Sequence, residues 1–230
     1  MRSIGESLFL FYLLAKTCLF NLLEERKLKK LFYTHPCFRK THQTFCQTWR
    51  YSNPYRICKA FLKKQGQAEL HTYGETPFTV FVDILQKAEF SSKDCLLDLG
   101  CGRGKLLLLT SALFTCDSIG VDQVPLFCQR AKACASFLSP PPLFLCQDFC
   151  NMEDVYLQKA TLIYFYALFL SEDQMLSMLR RFEALSSHVK IITISFPLSD
   201  YSPLFTHTSW QALYPWGQAE VFLNQKKHPL

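Results

Sequence analysis

Charge is scarce in this chain. Charged side chains make up 19% of its 230 residues, below the roughly one quarter usual for a soluble domain, while 49% are hydrophobic and 21 are phenylalanine. That balance argues against intrinsic disorder, which needs a polar and highly charged composition, and it leaves part of the surface greasy. Also missing is an unbroken apolar stretch long enough to cross a bilayer, which takes about 20 residues. The nearest approach, Leu8 to Leu23, is interrupted by Lys16 and Asn21 and followed at once by Glu24-Glu-Arg-Lys-Leu-Lys-Lys30. No small-x-small site follows it, so it does not read as a cleaved secretion signal, and Lys16 stands where a lipid-attachment signal ahead of Cys18 needs a small residue. Two readings of residues 1–30 stay open. One is a membrane anchor, with the Lys and Arg after it keeping the rest of the chain in the cytosol; the other is a helix that caps the domain behind it.

The eleven cysteines lack the layout of a disulfide framework, since Cys95, Cys101, Cys116, Cys128, Cys134, Cys146 and Cys150 are scattered through expected strands and helices. They are read as reduced thiols in a cytoplasmic setting. The segment His35-x-Cys37-x4-His42-x3-Cys46 holds residue types that bind zinc, but its spacing fits no zinc finger and no metal is expected. The net charge of +6 is mild. Its basic residues crowd to the front: Arg26, Lys27, Lys29, Lys30, Arg39, Lys40, Arg50, Arg56, Lys59, Lys63 and Lys64. Such an arm suits anionic lipid, nucleic acid, or a plain solvated face, and no specific motif supports nucleic acid.

The length accommodates one α/β domain plus an appendage. We divide it into an apolar helix at 1–30, a helical and basic extension at 31–91, and a core at 92–230. In the core, β-rich runs at Cys95 to Leu99, Ser118 to Asp122, Leu143 to Cys146, Ala160 to Tyr166 and Val189 to Phe196 alternate with helical periodicity at Lys105 to Phe114, Leu126 to Phe137 and Asp173 to Leu185. This rhythm predicts a Rossmann-like parallel sheet with helices on both faces. Ser171, followed by Glu172 and Asp173, is an expected helix cap. The tail breaks the rhythm: Trp210 to Tyr214 and Gln218 to Gln225, joined by Pro-Trp-Gly217, predict a closing antiparallel hairpin.

The chemistry-bearing segment is Asp98-Leu-Gly100-Cys-Gly102-Arg-Gly104, between the first strand and its helix. Its glycines permit a tight turn and a close approach of backbone to ligand. A dinucleotide loop needs a glycine where Lys105 stands, so a nicotinamide cofactor is disfavoured. Asp122, ending the second strand, can accept both hydroxyls of a ribose or act as a helix cap. After the third strand, Asp148 can accept from an adenine amino group while Phe149 packs on the ring. The three acids fall at the carboxyl edge of the sheet, where open α/β folds bind ligands.

These residues resemble the class I, seven-stranded methyltransferases, from about Tyr73 to Lys226. The resemblance implies S-adenosylmethionine as cofactor, with Asp98, Gly100, Gly102 and Gly104 around its methionine end, Asp122 at the ribose, and Asp148 with Phe149 at the adenine. Upstream, Tyr73-Gly74-Glu75-Thr76-Pro77 is similar to the cofactor-covering loop of the non-SET histone-lysine methyltransferases of the disruptor-of-telomeric-silencing type. That likeness implies that Tyr73 and Glu75 close the pocket and that Thr76 bonds the cofactor's carboxylate; the alternative is Thr76 as N-cap of a helix from Phe78 to Glu89. The fourth strand departs from that family, reading Tyr164-Phe165-Tyr166-Ala167-Leu168 in place of an asparagine-bearing turn. The Asn/Asp-Pro-Pro-Tyr signature of nucleic-acid amino methyltransferases is absent.

Tyr164, Tyr166, Tyr201, Tyr214 and Trp216 are either strand packing or an aromatic channel suited to an amine. Tyr73, Glu75 and Tyr164 are the candidates for residues at the reacting centre, and no His or Lys stands out as general base. The expected function is methylation of a protein, lysine favoured. The alternatives are a small-molecule or lipid methyltransferase at the membrane, and a tethered binding protein that keeps the fold without turnover.

Overall fold

The computed structural model describes residues 4–66, 73–166 and 170–227, with backbone alone for residues 4–10. Ala167 and Leu168 therefore lie outside the described residues. Four helices precede the first strand: α1 (Ile4–Phe32), α2 (Pro36–Trp49), α3 (Pro54–Lys64) and α4 (Phe78–Lys87). The core then alternates β1 (Cys95–Leu99), α5 (Lys105–Phe114), β2 (Asp117–Asp122), α6 (Pro125–Ala135), β3 (Leu143–Cys146), α7 (Asp154–Lys159), β4 (Leu162–Phe165), α8 (Glu172–Glu183) and β5 (Lys190–Ile194), and closes with β6 (Phe205–Tyr214) and β7 (Gly217–Lys226).

Among the described residues seven strands form one sheet in the order β3-β2-β1-β4-β5-β7-β6, in which β7 runs against the other six. This is the expected parallel sheet with its closing hairpin. Strand alternation divides the core in two. Leu96, Leu162, Tyr164 and Ile192 face α4, α5 and α6, whereas Leu97, Leu99, Ile163, Phe165 and Ile191 face α7 and α8. On the first face α5 is buried along Leu106–Leu109, because α2 packs across it and α6 as a further layer. Ser171 caps α8 through a reciprocal box with Gln174, the two backbone N–H groups donating to the facing side chains at 3.2 and 3.0 Å. In β7 the buried Asn224 donates to the Ile191 carbonyl and the Thr193 hydroxyl and accepts from the Leu198 N–H, which locks the hairpin's register.

Helix α4 does not use Thr76, the alternative reading, as its N-cap. Pro77 occupies its N-cap position with no side-chain bond, and Thr76 points elsewhere. Glu24 of α1 substitutes as the cap: its carboxylate accepts from the Thr79 N–H at 2.9 Å and the Thr79 hydroxyl at 2.7 Å. An acid at a helix N-terminus meets orphan donors and the positive end of the dipole. With Leu28 fully buried beside it, the second half of α1 caps the domain. The preceding turns expose Phe11, Tyr12, Leu14, Leu19 and Leu22. No helix among the described residues is long and apolar enough to cross a membrane.

Replacing Glu24 with Ala should cost about 2 kcal/mol of stability, and Glu24→Gln less, since the amide oxygen still accepts the Thr79 N–H. Urea unfolding checks this, and an unchanged midpoint in Glu24→Ala would show that α1 is not fastened there.

Candidate functional site

The carboxyl ends of β1 to β4 open into a cavity of about 500 Å³, roofed by Tyr73–Thr76 and walled by Cys58 and Leu62 of α3, Phe127 of α6 and Trp216 of the hairpin turn. Asp98, Gly100, Gly102, Asp122, Asp148, Phe149 and Tyr164 all line it. Gly104 does not. It turns the chain into α5 at φ +73°, where an added Cβ would lie 2.6 Å from the Phe144 ring and 2.9 Å from Ala131. Gly102 is the position where the roof comes down, for a Cβ there would meet the Tyr73 ring at 3.2 Å.

The glycine loop is tied to the sheet by N–H groups. Gly100 and Cys101 donate to the Val121 carbonyl at 2.8 and 3.0 Å, and Gly102 donates to Asp122 Oδ2 at 2.8 Å. Asp122 Oδ1 takes the Val124 N–H, also at 2.8 Å. Each oxygen keeps further lone-pair capacity on the cavity side. Burial pushes the Asp122 carboxyl up to about 6, against the pull of those two N–H groups.

Asp98 has no such relief. It is buried at the cavity wall and its carboxylate forms no hydrogen bond among the described residues. Burial, and secondly the neighbouring Asp122 charge, push it up to about 8. An unpaired buried acid is a costly feature for a protein to keep unless something supplies the missing donor.

The roof is clamped by side chains. Arg103, between the last two glycines of the loop, grips Glu75 with two parallel bonds, Nε to Oε1 at 2.5 Å and Nη2 to Oε2 at 2.6 Å. Tyr73 donates its hydroxyl to the same carboxylate. Burial alone would raise the Glu75 carboxyl, but Arg103 outweighs it and holds the group below the ordinary carboxylate range. The guanidinium rests on the Phe45 and Trp49 rings of α2 at 4.8 and 5.4 Å. Tyr73 packs between Tyr55 and Phe127. The Thr76 hydroxyl pairs with the Tyr164 hydroxyl at 2.6 Å, which fastens the far end of the roof to β4. Burial pushes Tyr164 well above the usual tyrosine range, so it stays neutral.

Asp148, in the cavity wall, also caps a short 3-10 turn, Phe149–Asn151, accepting the Cys150 N–H at 2.9 Å. Arg181 of α8 holds that turn by its carbonyls, which aims Phe149 at Gly100. Tyr201 packs on Phe196 outside the cavity, so the five-membered aromatic channel shrinks to Tyr164, Tyr166 and Trp216, with Tyr214 stacked behind Trp216 at 4.7 Å. The quartet His35, Cys37, His42 and Cys46 does not converge; His42 and Cys46 do, with Glu25. Arg103 and Arg181 were missed. Arg103 was legible as a cation inside a glycine loop facing an upstream glutamate, but nothing local marked Arg181.

The model of the family described as histone methylation protein DOT1 matches residues 59–195. Among solved structures the chain is similar to an RNA methyltransferase from Salinibacter ruber in complex with S-adenosyl-L-homocysteine, at 18% identity and TM-score 0.55 over 68% of this chain and 97% of that one. It is also similar to TrmN from Thermus thermophilus, at 17% and 0.56 over 75% and 52%. A third is the plantazolicin methyltransferase BpumL in complex with SAH, at 16% and 0.50 over 89% and 100%. At these identities the likeness shows the fold. No curated protein matches the sequence.

Because burial raises Asp98 from its ordinary 3.8 to about 8, the folded chain holds an extra proton between those two values, and its stability falls as pH rises across that window. Asp98→Asn should therefore gain stability relative to the parent across that window, by at most about 1.4 kcal/mol per pH unit. Urea midpoints of both proteins at several pH values test this; a pH-independent difference would mean that Asp98 is not the strained acid described.

Proposed function

The chain belongs to the family of histone methylation protein DOT1, and on that premise we propose that it transfers the methyl group of S-adenosylmethionine to a lysine side chain of a protein. The observation that carries the reading is the unpaired Asp98 carboxylate at the carboxyl end of β1, in a cavity of the size that small cofactors occupy. The residues fit the cofactor. Asp98 offers a charge-assisted acceptor to the ammonium of its amino-acid end, and Asp122 offers its remaining lone pairs to the ribose hydroxyls. Phe149 and the spare acceptor capacity of Asp148 suit the adenine.

When bound, the cofactor supplies a methyl group already activated on a sulfonium. The protein's task is then alignment and exclusion of water. Tyr73, Glu75 and Arg103 hold the roof down, and the Thr76–Tyr164 pair sets its far end. Tyr73, Glu75 and Tyr164 therefore act as positioning residues, since their polar atoms are committed to this clamp. At the mouth, Tyr166 and Trp216 stack with planes 6° apart, and Trp216 is half exposed. Ring faces of this kind favour an ammonium group, which supports an amine acceptor, and the exposed rim lets its proton leave to water.

A second reading, methylation of a lipid or another small molecule at a membrane, draws support from the exposed apolar turns of α1, where Phe11 is 71% and Leu14 61% exposed, followed by the basic residues Arg26, Lys27 and Lys30. Nucleic acid as acceptor is supported by fold neighbours alone, such as the RNA methyltransferase from Salinibacter ruber.

The test is incubation of the purified chain with methyl-labelled S-adenosylmethionine and a lysate divided into protein, RNA and lipid. Label in protein, recovered as methyl-lysine, is expected. Asp122→Ala should lower cofactor affinity by about ten- to a hundredfold and recover its rate at saturating cofactor. Label confined to lipid or RNA would replace the acceptor. No label in any fraction, with no binding of S-adenosylhomocysteine, would overturn the enzyme reading.

A further inference from the structure

Away from the cavity, α1 and α2 bring together three side chains whose grouping the methyl-transfer reading does not use. His42 and Cys46 sit one helical turn apart on the same face of α2, and Glu25 reaches them from α1. His42 Nε2 lies 3.4 Å from Glu25 Oε2 and 3.6 Å from Cys46 Sγ. Zinc binds imidazole nitrogen at about 2.0–2.1 Å, carboxylate oxygen at about 2.0–2.2 Å and thiolate at about 2.3 Å, so ligand atoms on a tetrahedron stand roughly 3.3–3.6 Å apart. Those two spacings match edges of that figure, and all three ligand atoms lie within 4.8 Å of one another.

The surroundings also suit a metal. His42 is buried, and its other nitrogen, Nδ1, is 2.9 Å from the Tyr33 hydroxyl, an outer partner of the kind that fixes ring orientation and directs Nε2 at an ion. Lys29 takes the other Glu25 oxygen, Oε1, at 3.0 Å, which holds the carboxylate with Oε2 turned inward. One thiolate and one carboxylate balance a dication, and Cys46 is exposed, giving an ion access and leaving the fourth position to water. We propose that Glu25, His42 and Cys46 form a three-ligand site for zinc or a similar divalent transition metal, linking α1 to α2. Binding displaces two protons, that of the Cys46 thiol and that on His42 Nε2 facing Glu25; both pass to water as the metal–sulfur and metal–nitrogen bonds form. The site would brace α2, the helix whose Phe45 and Trp49 underlie Arg103.

The rival arrangement is an ion pair between His42 and Glu25 with a thiol beside it. The two are separated by adding cobalt(II) to the full, metal-free chain. The proposal expects a thiolate-to-cobalt charge-transfer band together with the visible bands of a tetrahedral ion, and one zinc per chain in competition with a chromogenic chelator. Cys46→Ser should abolish the sulfur band and weaken zinc by more than about a hundredfold, Tyr33→Phe should weaken it by about tenfold, and Cys37→Ser on the same helix should change neither. Because Cys46 is exposed, its serine variant should keep the parent's circular dichroism, which is checked alongside. A wild-type spectrum without the sulfur band, or equal zinc affinity in the parent and Cys46→Ser, would overturn the proposal.

Discussion

The bidentate contact between Arg103 and Glu75 joins three parts of the chain that are far apart in sequence: the roof loop, the glycine loop, and the aromatic platform of α2. Both partners are largely out of water, with side-chain exposures of 15% and 28%. A buried pair of this kind adds little over an apolar substitute, yet removing one partner typically costs about 3–5 kcal/mol because the other is stranded. Its value is positional. Tyr73 rests on Gly102 because Glu75 is fixed, and the cavity has a closed side because Tyr73 is there.

Below that clamp the site is electrostatically unfinished. Asp98 and Asp122 lie at the ends of adjacent strands, both driven towards protonation by burial, and Asp98 further by its neighbour's charge. A protein with no ligand for this place would gain by replacing Asp98 with a neutral side chain. Keeping it makes sense where a bound cation completes the set, so the fold gives up some stability of its own at the point where the cofactor restores it. The family, the sheet order and this pair of acids agree in pointing to S-adenosylmethionine.

Much of the fold could be read from local pattern. The five parallel strands and the crossover helices α5, α6 and α8 follow from runs whose periodicity is unambiguous, and the Pro-Trp-Gly turn signals the hairpin that orders β6 and β7. The acids at the strand ends follow from the same pattern. What escaped depends on partners distant in sequence. Glu24 caps a helix more than fifty residues away, Arg181 supports a turn from α8, and Glu25 joins His42 from another helix. Arg103 stands out as a cation inside the glycine loop, but its partner Glu75 is 28 residues upstream and only the fold brings the two together. Thr76 and Asp148 line the cavity as the pattern suggests, but the partners they also hold there, the Tyr164 hydroxyl and the Cys150 N–H, come from packing that the local sequence does not encode.

The claim that the rest leans on is that Glu75 and Arg103 build the cofactor site as a unit. A double-mutant cycle with Glu75→Gln and Arg103→Met, reading S-adenosylhomocysteine affinity by calorimetry, measures it directly. Each single change should weaken binding, and the double variant should bind no worse than either, which corresponds to a coupling of about 2 kcal/mol. Losses that simply add, or single variants that bind as well as the parent, would show that the roof is held by other means.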